Sequence, residues 1–390
     1  MDIGKIKDAI SKDIDSRAAP LGSLSQKLHA NPETAMKEVK AAAWLTQYLK
    51  DNGFKVETGI CGMPTAFRAI YGKGKPAIGF LAEFDALPKV GHACGHNLIA
   101  VTSLGAGIAS KLAADEYGAT IIVYGTPGEE GDAGKAQMQQ KGAFRDIDVA
   151  MICHPGGGNQ VVEGALACQT INVEFIGKAA HAAADPDQGI NALEAMILSF
   201  NAIDALRQHI KPTARIHGII TDGGEAPNIV PAHTAGSFIV RAVDDAYLDV
   251  LKEKVLNCFI GAATATGATL KYQWADMRYA AMRNNMAMAK MFRKNFQGLG
   301  HSILLGDISG STGSTDVGNV STITPAIQPY VGIAAENILI HSTEFEKVTG
   351  TAEALKIMLD AGKAMAMTAA DLLADPETLR AVRDEFDKNK

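Results

Sequence analysis

Apolar residues recur at helical spacing through the first fifty positions. Within LSQKLHANPETAMKEVKAAAWLTQYLKDNGF, Ala42, Leu45, Tyr48 and Leu49 share one helix face. Asn31-Pro32-Glu33 separates a first helix from a second, and Asn52-Gly53 ends the second. Strand and helix patterns then alternate. Strands are predicted over 55–57, 66–71 and 77–82, a helix over 98–115, a strand over 120–124, a helix over 133–141 and a strand over 148–153. This alternation predicts an α/β domain, a mostly parallel sheet flanked by helices on both faces.

The pattern changes near residue 168. A strand over 169–176, a helix over 189–209, strands over 214–221 and 235–241, a helix over 247–265 and a strand over 268–273 follow one another. That order is β-α-β-β-α-β, the split βαβ arrangement. It predicts an inserted α+β domain over 168–277, dividing a first domain of 1–167 and 278–390 in sequence but not in space. After 278, helix and strand alternate again and the chain ends in two helices.

Length agrees with two domains, since 390 residues stand against roughly 100–200 per domain. The chain is 47% hydrophobic and 21% charged, an ordinary globular balance. A net charge of −6 offers no basic footprint for nucleic acid. The opening stretch is charged throughout and lacks an apolar h-region, which predicts no secretory signal. No apolar run approaches the ~18 residues of a membrane helix, so no membrane partner is expected. Five scattered cysteines (Cys61, Cys94, Cys153, Cys168, Cys258) point to a reducing, cytoplasmic location rather than a disulfide framework.

The candidate chemistry begins in GFLAEFDALPKVGHACGHN, residues 79–97. A buried strand ends in Glu83 and Asp85, a turn follows, and His92, Cys94 and His96 stand just before a helix. Two further strand ends carry Glu129 with Glu130, and His154; His341 lies far downstream after an apolar run. Each has an ordinary reading alone: an acidic pair is commonly a solvated face, a lone cysteine a small hydrophobe. Parallel sheets align their strand ends, so these loops are expected to meet. Thiolate, imidazole and carboxylate from several segments make a metal set suited to soft or borderline ions rather than Mg²⁺ or Ca²⁺. Of two adjacent glutamates, one can bind metal and the other take a proton from a water whose pKa the metal lowers to about 7; the sequence leaves open which does which. His181, in GKAAHAA, is a loop histidine or an oxyanion stabiliser brought from the second domain. Two polar, turn-rich stretches, around Asn228 and around Thr315 and Asp316, are ordinary loops or line a site.

These blocks resemble the metallopeptidases that include carboxypeptidase G, the aminoacylases and the amino-acid-conjugate amidohydrolases. The closest likeness is to the aminobenzoyl-glutamate hydrolase and β-alanyl-lysine dipeptidase branch. It runs nearly end to end, through LHANPE, AEFDALP, GHACGHN, GTPGEEG, the HPG of His154, GKAAHAA, APNIVP, GSTDVGNVS and HSTEFE. The resemblance implies a catalytic domain holding two divalent ions, Mn²⁺ or Zn²⁺, and an inserted lid that forms a homodimer. Cys94, His96, Glu130, His154 and His341 match the metal positions, with Cys94 bridging the ions. Glu129 matches the general base, and Asp85 the carboxylate that orients a ligand from behind. His181 matches the lid histidine that polarises the scissile carbonyl, Asn228 a substrate-contacting position and Thr315 a pocket loop. Glu83 stands where other branches place a metal-binding histidine, and Asn97 where many amidohydrolases have Asp.

The function expected is a metal-dependent hydrolase. It would cleave the amide bond of a small N-acyl amino acid, aminobenzoyl-glutamate-like conjugate or dipeptide through a metal-activated water. The alternatives are a related deacetylase or deaminase on the same site, or a non-catalytic metal-dependent binding protein.

Overall fold

The computed structural model describes residues 2–306 and 313–389. Part of the polar stretch around Thr315, residues 307–312, lies outside the described residues. Two compact units emerge: Met1–Gly164 with Met282–Lys390, and Ala165–Ala281.

The first unit opens with α1 (Ile3–Ser16), α2 (Ala18–His29) and α3 (Val39–Asp51). A single helix was expected before Asn31, and the chain instead breaks at Arg17. Pro20 is the cause: it lacks an N–H for the Ser16 carbonyl and its ring crowds that turn. The chain continues through β1 (Lys55–Thr58), β2 (Phe67–Gly72), β3 (Ala77–Ala82), α4 (His96–Ala109), α5 (Lys111–Tyr117), β4 (Thr120–Gly125), α6 (Gly134–Gln140), β5 (Val149–Met151) and β6 (His154–Gly156). The expected 98–115 helix is thus two helices meeting at Ser110, whose hydroxyl donates to the Ala106 carbonyl at 2.7 Å.

The inserted unit runs β7 (Ala167–Ile176), α7 (Ala192–Leu206), β8 (Arg215–Asp222), β9 (His233–Ala242), α8 (Asp245–Thr266) and β10 (Thr269–Trp274). Its antiparallel sheet has the order β10-β7-β9-β8. Burial alternates strictly along β9, as expected for a sheet with one face packed on helices. Phe238 from β9, Phe259 from α8 and Met196 from α7 are in its core.

The first unit resumes with α9 (Met286–Gly298), α10 (Val317–Ser321), β11 (Ala326–Ile327), β12 (Tyr330–Gly332), α11 (Thr343–Thr349), α12 (Ala352–Ala374) and α13 (Pro376–Lys388). Its main sheet has the order β1-β2-β4-β3-β5-β11. The run β4-β3-β5-β11 is parallel, while β1 and β2 pair antiparallel at one edge. β3 and β4 are buried along their whole length, which explains their unbroken apolar sequences. All of α4 is buried, and a Cβ on Gly107 would come within 2.4 Å of Val123 Cγ2, so glycine lets this helix lie close on the sheet. The segment His96–Tyr117 is long and apolar enough by composition to cross a membrane, contrary to the sequence expectation, but 89% of its most apolar window is buried in the core. A small second sheet pairs β6 with β12, setting His154 opposite Tyr330.

Candidate metal centre

The site forms where β3, β4 and β5 end. Beyond β3, the turn containing Gly91 leads to Cys94-Gly95-His96 at the head of α4. Gly95 has φ of 79°, and a Cβ there would meet Pro155 Cγ at 2.4 Å, so the close approach of the two ligand loops requires glycine. His96 is fully buried. Its Nδ1 lies 2.9 Å from the Asp85 carbonyl and 3.1 Å from Asp85 Oδ1. The other ring nitrogen, Nε2, is buried with no hydrogen-bond partner among the described residues. An imidazole anchored behind by a carboxylate, with its other nitrogen free of hydrogen bonds among the described residues and the Glu83 carboxylate 3.6 Å away, is the arrangement of a metal ligand.

His154 lies at the start of β6. Its Nδ1 is 2.7 Å from the Pro155 carbonyl, and its Nε2 is 3.4 Å from Cys94 Sγ. The Tyr330 ring packs on it at 4.9 Å between centroids. Glu129 and Glu130 sit in the turn after β4, which is held from two sides. Glu38 Oε1 accepts from the Gly128 N–H at 2.9 Å, and Asp85 Oδ2 accepts from the Glu130 N–H at 3.0 Å. His341 comes from the loop before α11, with its N–H donating to the Ala93 carbonyl at 2.8 Å and its Nε2 3.1 Å from Glu130 Oε1.

Ligand atoms gather in overlapping groups, each with all members within 4.8 Å of one another. Cys94, His96 and His154 form one; Cys94, Glu130 and His341 form another. Cys94 is common to both, so the geometry accommodates two ions sharing the sulfur. A mixed S, N and O set with a buried, outward-facing His96 Nε2 fits borderline divalent ions. His92, also a ligand candidate from its spacing, joins neither group; it is buried, with its ring centroid 6.4 Å from that of His29.

Electrostatics separates the two glutamates. Burial, then the charges of Asp316, Glu83 and Glu130, push the Glu129 carboxyl well above its ordinary value. Burial acts the same way on Glu130, but its hydrogen bond with His341 and the charge of His96 prevail and lower it. Neighbouring carboxyls driven apart in this way suit different roles, proton carrier and ligand. Burial pushes the Cys94 thiol up and lowers His154 to about 4, so His154 is neutral and able to ligate. A bound cation would instead favour the Cys94 thiolate.

His181 and Asn228 belong to the inserted unit and are exposed. They are neighbours there: the Ala182 N–H donates to the Asn228 carbonyl at 3.0 Å, and His181 Nδ1 accepts from Ala183 and Ala184 N–H at 3.2 and 3.1 Å. Thr315 is buried, its hydroxyl accepting from the Val317 N–H at 3.3 Å.

Sequence reasoning singled out Glu83 and Asp316 but missed the lysine that joins them and a cavity nearby. Glu83 is wholly buried and lies 2.6 Å from Lys135 Nζ, which also lies 2.6 Å from Asp316 Oδ1. Lys135 sits in the first turn of α6, five residues after Glu130, and no local signal in the sequence marks it as buried. Beside His154 and the loop to His341 opens a cavity of about 790 Å³, lined among others by Gly156, Glu163, Leu304, Tyr330, Glu336 and Leu339. Its described lining contains no Lys, Arg or His.

The family model for the peptidase dimerisation domain matches residues 168–262. The chain is 37% identical to an Xaa-Arg dipeptidase of Mus musculus, an alignment spanning 98% of this chain and 92% of that protein. It is 29% identical to a p-aminobenzoyl-glutamate hydrolase chain of Escherichia coli, over 93% of this chain and 91% of that one. Among solved structures, a putative aminohydrolase from methicillin-resistant Staphylococcus aureus superposes with a TM-score of 0.79 at 20% identity, covering 94% of this chain and all of that one. A dinuclear metal-binding peptidase of the M20 family from Bacillus subtilis gives 0.69 at 18% identity, covering 92% and 99%. These two structural likenesses carry the fold alone.

Proposed function

The chain belongs to the M20 family of metallopeptidases and aminoacylases, metal-dependent amide hydrolases, and from that premise we propose that it cleaves dipeptides carrying a basic residue. The observation that carries this reading is the acidic cavity beside His154. Glu163 and Glu336 would face a substrate ammonium or guanidinium there, with Leu304 and Leu339 along its aliphatic stem. The end-to-end likeness to a dipeptidase whose name specifies arginine agrees with it.

Cys94, His96, Glu130, His154 and His341 would hold two divalent ions, Mn²⁺ or Zn²⁺. Bound there, such ions supply Lewis acidity toward the scissile carbonyl and make a water acidic enough to deprotonate near neutrality. Glu129 takes that proton and passes it to the leaving amine. Asp85 fixes the ring orientation of His96. His181 stabilises the oxyanion, Asn228 contacts substrate and Thr315 lines the pocket. A homodimer through the inserted unit is part of the reading. Its edge strand β8 exposes Ile219 and Ile220, an apolar edge that a second copy would cover. The five free cysteines accord with work in the cytoplasm.

A panel of dipeptides ending in Arg or Lys, with aminobenzoyl-glutamate and hippurate beside them, tests the substrate class. The basic dipeptides should show the highest kcat/KM, and a preference for the acidic or neutral substrates would overturn it.

A further inference from the structure

Two further carboxylates meet the base, Glu129. Ligand atoms of Glu83, Glu129 and Asp316 lie within 4.8 Å of one another, the spacing of a metal site. Lys135 stands among them. Its side chain is fully buried, its Nζ is 2.6 Å from both Glu83 Oε1 and Asp316 Oδ1, and its backbone N–H donates to Asp316 Oδ2 at 2.7 Å. The backbone delivers it there through Gly134, where a Cβ would lie 1.7 Å from the Pro127 carbonyl oxygen.

Stability gives no reason for such a cluster. Taking an ammonium and carboxylates out of water is costly, and well-packed apolar residues commonly replace buried ion pairs without loss. Departures of this kind from ordinary core chemistry concentrate at functional sites. The cluster is also one step from the chemistry, because Glu129 adjoins Glu130 of the ligand set.

We propose that Lys135 is a positioning residue, a built-in cation that fills the three-carboxylate pocket, holds Glu83 and Asp316 around the Glu129 carboxylate, and keeps a further divalent ion out. This rests on the assignment of Glu129 as the base. Two carboxylates held at 2.6 Å by one ammonium, one of them also accepting the Lys135 N–H, have little freedom to rotate beside Glu129. Without the ammonium, the same oxygens repel one another or recruit another cation, and either result takes Glu129 out of line for proton transfer.

Two variants test it, in the full chain loaded with Mn²⁺. Lys135→Met with Asp316→Asn removes one charge of each sign, so the summed charge of the cluster is unchanged. It should bind as many ions as the wild type and keep KM within ~3-fold, while kcat falls at least ~10-fold. A kcat equal to the wild type would mean that Lys135 only balances charge, and would overturn the proposal. Lys135→Met alone should bind about one more Mn²⁺ per chain than the wild type; an unchanged count overturns the built-in-cation role. If that single variant does not fold, the balanced pair decides. Absence of turnover in the wild type refutes the hydrolase reading instead, and the ion count still decides whether Lys135 excludes a cation.

Discussion

Cys94 Sγ lies 3.4 Å from His154 Nε2, although sixty residues separate the two in sequence. That contact joins the loop after β3 to the start of β6. Cys94 also reaches Glu130 and His341 in the second ligand group. Removing the sulfur therefore strikes both positions at once. Cys94→Ala is expected to fall from about two ions per chain to one or none. Elemental analysis after Mn²⁺ or Zn²⁺ loading reads this directly, and a variant that keeps both ions would show that the thiolate does not bridge.

The acidic cavity predicts a change in specificity rather than in chemistry. Glu163 and Glu336 line it without a basic neighbour among its described residues. A charge-assisted hydrogen bond is worth about 1.5–3 kcal/mol. Glu163→Gln with Glu336→Gln should thus raise KM for a dipeptide ending in Arg by roughly 10-fold or more, with kcat nearly unchanged. Steady-state kinetics on Arg-ending and neutral dipeptides measure the contrast. Equal losses on both would remove the cavity from substrate recognition.

Glu38 predicts a pH dependence of stability. It is fully buried, and its carboxylate accepts from the N–H groups of Met36 and Gly128 and from the Thr65 hydroxyl. Burial, with a smaller push from Asp85, raises it from 4.5 to about 7. The folded state therefore holds a proton that the unfolded state has released between these two values. Stability from this group is complete below about 4.5 and is lost as pH rises through about 7. The loss is on the order of 3 kcal/mol. Glu38→Gln keeps an acceptor for Gly128 and cannot ionise. Its denaturant midpoint relative to wild type should climb between pH 5 and pH 8 (about 3 pH units, spanning the shift). A difference that stays flat over that range would contradict the assignment.

Much of this architecture was legible along the chain because its signals are local. The unbroken apolar runs of β3 and β4 mark strands buried on both faces, and ligand-type residues directly follow them. The alternation along β9 and the two long helices beside it mark the inserted sheet. What escaped depends on distant partners or on very short elements. β6 and β12 are three residues each, too short to show a period. Lys135 meets Asp316 across 181 positions, and Glu38 meets Gly128 across 90. No local pattern announces such pairs, and a lysine in a first helical turn ordinarily points to water. The break at Arg17 did have a local cause in Pro20, whose effect reaches back one turn.

Everything proposed for the site turns on Glu129 acting as the base of a metal-dependent amide hydrolase. The most direct test is the turnover of Glu129→Gln against wild type on one cleavable dipeptide, each loaded with the same ions and assayed for bound metal in the same sample. Equal ion content and a kcat at least ~10²-fold lower are expected, since general acid–base catalysis contributes that much. A metal-loaded Glu129→Gln that turns over at close to the wild-type rate would contradict the assignment.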